Sequence, residues 1–232
     1  MGGEYYLLME VFRKYPASKQ ALAYAEELSC LHDELYLILD GFELFFRYCG
    51  DYDPPESALR LIMQKFLVAR TDDDFCYRIY DYQEKCYQLL NAALCIGLNE
   101  REEKIKDKVR SWLAQEGERQ IVDRLQFFRR HEAIQKALCR RAALTHRRAI
   151  PEVEELGRSQ RLRDWLRWNP DADLLEGKDA TDVATMTFVV EGHFSEVYEK
   201  LSKIKEDLSQ FANGLAYDIL DTFSRRGFAG TQ

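Results

Sequence analysis

The stretch CRRAALTHRRAI, residues 139–150, sets Arg140, Arg141, Arg147 and Arg148 around His146. A neutral imidazole can take the proton of a ribose 2′-OH, because its ordinary pKa lies near neutrality. A guanidinium can grip a phosphate through two parallel donors and stabilise the charge that grows in the transition state. The attacking oxygen would come from the RNA itself, so this chemistry calls for neither metal nor cofactor. The catalytic candidates are His146 with Arg141 or Arg140. Arg147, Arg148 and Arg130 are candidate RNA-binding residues.

The spacing alone carries little. The pattern of an Arg and a His with four to six residues between them occurs three times: Arg141 to His146, Arg140 to His146, and Arg124 to His131. About one chance match is expected in a chain of this composition. Position adds weight. Ile134 and Leu138 lie seven and three residues before Arg141, which puts a charge on the apolar side of a helix, where it needs a partner or an anionic ligand. Geometry adds a condition. Residues five apart on a straight helix point about 140° apart, and residues six apart about 120° apart the other way. Arg and His converge only through a bend, a long reach or a second subunit.

The formal net charge of the 232 residues is −7. Residues 119–168 hold 13 cations, 12 of them Arg, against 6 acids; that block carries +7 and the remainder −14. A basic, arginine-rich block in an acidic protein suits phosphate contact.

The elements that must position these residues read as helices. Tyr24, Leu28, Leu31, Leu35, Ile38, Phe42, Phe45 and Cys49 step by four and three, which predicts a helix over 18–49 with Ser18 as its cap. The prolines of CGDYDPPES end it. A short helix at 56–69 is expected next. TDDD at 71–74 reads as the start of another, whose stripe is Phe75, Ile79, Tyr82, Cys86, Leu89, Ala93 and Ile96 and which Gly97 closes. Residues 100–115 predict a charged peripheral helix. One continuous helix is expected over 118–146, with the stripe Ile121, Leu125, Phe128, Ile134 and Leu138. A short amphipathic helix is read in QRLRDWLRW. After Thr181, Val190, Phe194, Val197, Leu201, Ile204, Leu208, Phe211 and Leu215 keep heptad spacing. The expected fold is all-α: an up-and-down bundle of four long helices with short peripheral ones, in a single domain over 1–232.

Other classes are set aside. The chain has no phosphate-cradling glycine loop, no HExxH, no GxSxG and no ExxH for a carboxylate metal site. The six cysteines form no CxxC, and reduced cysteines within apolar runs are expected. With no signal peptide and no spanning apolar run, a cytoplasmic protein without membrane contact is expected.

A bundle with Arg-x(4–6)-His late in a long helix resembles the HEPN superfamily. CRRAALTHRR looks like its signature region, and YRIYDYQEKCYQLLNAAL, residues 77–94, is similar to the helix that precedes it. The resemblance implies a dimeric helical protein whose two motifs meet across the interface. Its activity would be that of a metal-independent ribonuclease of toxin–antitoxin or phage-defence type, with RNA and an antitoxin or other protein as partners. Inactive members that bind RNA or protein are the alternative. The family favours a small polar residue after the Arg. Ala142 follows Arg141 here, whereas with Arg140 as the motif residue, Arg141 fills that slot.

Overall fold

In the computed structural model, which describes residues 5–14, 19–51, 58–99, 103–145 and 180–226, every regular element among the described residues is a helix. They are α1 (Tyr6–Arg13), α2 (Lys19–Asp51), α3 (Ala58–Ala93), α4 (Ile105–Gln115), α5 (Arg119–Leu125), α6 (Phe127–Arg130), α7 (Glu132–Thr145) and α8 (Ala180–Arg226). The chain divides into two compact units. One holds Met1–Leu37, Tyr77–Lys136 and Lys203–Gln232; the other holds Ile38–Cys76 and Ala137–Ser202. Ser18 and QRLRDWLRW lie outside the described residues.

Three expectations are corrected. The short helix and the TDDD start are one element, α3, which runs unbroken through residues 71–74. The helix expected over 118–146 is three. It breaks at Gln126 and again at His131, whose backbone is extended at φ −76° and ψ 106°. And α3 is closed by Cys95, not Gly97. Cys95 takes the left-handed conformation (φ 52°); its N–H donates to Ala92 O at 3.4 Å, and the N–H of Ile96 donates to Asn91 O at 3.0 Å. These two bonds satisfy carbonyls that a helix end leaves without partners. The same device ends α4, where Gly117 (φ +79°) turns the chain and Glu118 N–H donates to Leu113 O at 2.9 Å.

In the first unit α8 is the common partner. Phe12 of α1 packs against Phe223. Phe127 stacks on Phe211 at 4.9 Å between ring centroids, and buried Phe128 meets the same ring edge-on. Tyr36 and Ser209 share a hydrogen bond of 2.7 Å, and Ser209 lies 3.2 Å from Nε2 of buried His32. Tyr5, ahead of α1, meets Tyr82 of α3 hydroxyl to hydroxyl in the interior. The α3 stripe from Phe75 to Ala93 is buried as expected, and so are Val197, Leu201, Ile204, Leu208, Phe211 and Leu215 of α8.

In the second unit Phe46 of α2 stacks on Phe194 of α8 at 3.7 Å between centroids, with Phe42 tilted against the same ring. Tyr198 donates to Glu43 at 2.9 Å, and that carboxylate pushes the phenol's pKa up.

Candidate functional site

Arg140 and Arg141 project from α7 in the second unit, and both are half-buried. Adjacent helical residues point about 100° apart, so one set of partners cannot serve both. Arg140 lies over the middle of α3. Its Nε donates to Asp73 Oδ1 at 2.9 Å, its Nη2 lies 2.9 Å from the same oxygen, and its Nη1 is 3.0 Å from Asp72 Oδ2. Lys200 of α8 donates to the other oxygen of Asp72 at 2.6 Å. The Asp72 side chain is only 7% exposed. Two carboxylates and two cations thus balance in charge where α3, α7 and α8 meet. One turn further along α3, burial pushes the Cys76 thiol up to about 12; Asp72 adds to this and Lys200 and Arg140 oppose it.

Sequence reasoning missed Asp72, Asp73 and Lys200. A signal existed for Asp72, which extends the Phe75–Ile79–Tyr82 stripe by one step of three. An acid at a buried stripe position needs a cation, whereas an acid in a helix's first exposed turn needs only the dipole.

The remaining candidates are placed differently. His146, Arg147 and Arg148 lie outside the described residues. Arg130 is exposed in the last turn of α6 and belongs to the first unit. The third Arg–His match is built into the fold of that unit. Arg124 forms an ion pair with Asp218 of α8, its Nη2 lying 3.3 Å from Asp218 Oδ1. His131 meets Asp207 of the same helix.

Five described cysteines are free thiols. Cys76 and Cys86 are buried, whereas Cys30, Cys95 and Cys139 are exposed, so only part of the expected core placement holds. Helical runs alternate faces, and an apolar neighbourhood in sequence does not put every member inside. Among the described residues no group of three His, Cys, Asp or Glu side chains is placed to hold a metal ion. An open groove of about 520 Å³ between α2 and α3 is lined by Glu26, Glu27, Glu34, Asp81 and Glu84 with Lys85, an acidic surface that repels phosphate.

The described helices define an all-α protein, and none among them is long and apolar enough to cross a membrane. Comparison of the chain with protein-family models, curated proteins and solved structures gives no match.

Proposed function

We propose that the chain is a HEPN-like, metal-independent endoribonuclease. His146 takes the 2′-OH proton, the 2′-oxygen attacks the adjacent phosphorus, and the bond to the 5′-oxygen breaks, leaving a cyclic phosphate and a 5′-hydroxyl end once that oxygen is protonated. Arg141 or Arg140 holds the phosphate and offsets the charge of the transition state. The reading includes a homodimer that brings two motifs together, an antitoxin or other protein partner, a cytoplasmic location, and Arg130, Arg147 and Arg148 as RNA contacts.

The observation that carries it is the placement of two half-buried arginines near the end of α7, which stays helical to Thr145, directly before His146. The test is incubation of the full chain with RNA in EDTA beside His146→Ala. Cleavage lost in the variant supports the reading; no cleavage, or equal cleavage by both proteins, ends it.

One observation favours a second reading, a catalytically inactive module for RNA or protein. Arg140 already meets two carboxylates. This reading predicts RNA binding that weakens with salt and no turnover.

A further inference from the structure

The outer face of α2 in the second unit is complementary to itself. That unit's part of α2 begins at Ile38. Leu39, Phe42 and Phe46 are buried on one side of it. Leu44, 67% exposed, points the opposite way. Gly41 and Tyr48 lie about 60° and 40° round from Leu44 to one side, and Asp40 and Arg47 about 40° and 60° round to the other. Tyr48 is 57% exposed, the Arg47 side chain is 73% exposed, and Asp40 is exposed as well. Gly41 is the anomaly. A glycine inside a long helix costs stability relative to Ala. Its φ lies outside the left-handed region, and a Cβ there would meet no atom of the described residues within 4 Å. Neither its backbone nor its described neighbours call for glycine.

We propose that this face is an interface for a second copy of the chain, the two α2 helices packing antiparallel about a two-fold axis at Leu44. The register follows from the spacing. Gly41 lies three residues before Leu44 and Tyr48 four after it, on the same side. The two-fold therefore brings Tyr48 of each copy over Gly41 of the other, with an axial offset of about 1.5 Å. A bare backbone lies where an aromatic ring needs room. Asp40 lies four residues before Leu44 and Arg47 three after it, on the opposite side, so each Arg47 meets the other copy's Asp40 at the same offset of about 1.5 Å. Arg47 keeps its pair with Glu43 one turn back along the same rim. Leu44 of one copy meets Leu44 of the other at the axis. A parallel pair would set Tyr48 level with Tyr48 and Gly41 level with Gly41, and would lose that fit. One pair of helices buries little area, so association is expected to be weak and concentration-dependent. The inference does not depend on the nuclease reading, because RNA takes no part in it.

The experiment is sedimentation velocity on the full chain across a concentration series, with circular dichroism for the helix content and thermal melting of each variant. Wild type is expected to pass from monomer to dimer as concentration rises, and Leu44→Glu to stay monomeric with unchanged helix content. Gly41→Gln is expected to lose the dimer yet to melt no earlier than wild type at the lowest concentration, since Gln is a better helix former and the space beside Gly41 accepts it. Asp40→Arg and Arg47→Asp are each expected to weaken association about tenfold, because each change counts twice under the two-fold. The double swap is expected to restore it. Wild-type protein that stays monomeric at every concentration overturns the proposal. A dimer that survives Gly41→Gln or Leu44→Glu overturns it too, by placing the contact on another face. Charge reversals whose effects add instead of cancelling overturn the antiparallel register.

Discussion

Nε2 of His131 lies 2.7 Å from Oδ2 of Asp207, while Nδ1 of the same ring accepts the N–H of Ile134 at 3.3 Å. The second bond fixes the first. Nδ1 accepts, so in this arrangement Nε2 carries the proton and donates to the carboxylate. Ile134 is the third residue of α7, and the carbonyl of His131 accepts from Gln135 N–H at 3.0 Å. His131 is therefore the N-cap of α7 and its tie to α8 in one side chain. Replacing it with Ala is expected to destabilise the protein by about 2 kcal/mol, the sum of a lost cap and a lost charged hydrogen bond. Asn restores the cap without the reach to Asp207, so His131→Asn is expected to fall between wild type and Ala in urea denaturation. Equal stability of the Ala variant and wild type would contradict the cap.

Gly214 and Arg124 are coupled by space. A Cβ on Gly214 would strike the Arg124 guanidinium, the group that pairs with Asp218 one helical turn further on. Gly214→Ala is expected to destabilise by about 1–2 kcal/mol, because the arginine must leave a partly buried carboxylate. In an Arg124→Ala background the same substitution is expected to change sign and stabilise by up to about 1 kcal/mol, the ordinary helical gain of Ala over Gly. A cycle of four proteins in urea measures this. No change of sign refutes the coupling.

Cys95 holds a conformation suited to glycine, and its side chain is exposed. Cys95→Gly is expected to stabilise by about 1 kcal/mol, since the left-handed region penalises a Cβ by roughly that amount. Thermal unfolding in reductant gives the value, and a lower melting temperature would count against it.

Glu118, 4% exposed, accepts from Thr222 at 3.0 Å, from Arg225 at 2.9 Å and from Arg226 at 3.0 Å. Burial alone would raise its pKa; the donors from Arg225, Thr222 and Arg226 outweigh burial and hold the carboxyl below the ordinary range. Folding lowers this pKa, so the stabilisation is fully present above the ordinary glutamate range and is lost as pH falls through the folded value. Glu118→Gln is expected to cost about 2 kcal/mol at neutral pH. The gap between the two proteins is expected to narrow on acidification below about pH 4.3. A constant gap across that range would show that the carboxylate charge contributes nothing.

Cys76 and Cys86 are expected to resist alkylation, because burial pushes the Cys76 thiol up to about 12 and that of Cys86 further still. At pH 8, iodoacetamide is expected to label Cys30, Cys95 and Cys139 first, and Cys76 and Cys86 only on unfolding. Peptide mapping by mass spectrometry distinguishes the two groups.

Much of α2 is legible in the sequence, and its error is instructive. Leu28, Leu35 and Phe42 belong both to the predicted stripe and to the observed core. The predicted stripe pairs them with a companion row of Leu31, Ile38 and Phe45. The structure buries His32, Leu39 and Phe46, one position on, and leaves Leu31 and Ile38 half-buried. Hydropathy prefers Leu31 to His32. Ser209 meets Nε2 of the imidazole and the rings of Tyr36 and Tyr82 pack on it, so contacts from α3 and α8, not hydropathy, take His32 into the interior.

The site divides in the same way. An all-α chain, the α8 stripe and a cluster of arginines before His146 are legible in the sequence, because helical periodicity and charge clustering are local properties. It could not reveal that His131 would break the helix expected over 118–146, since the cap depends on Asp207, 76 residues away. Nor could it place Arg140 against Asp73, because that carboxylate comes from 67 residues earlier in the chain and is brought there only by helix packing.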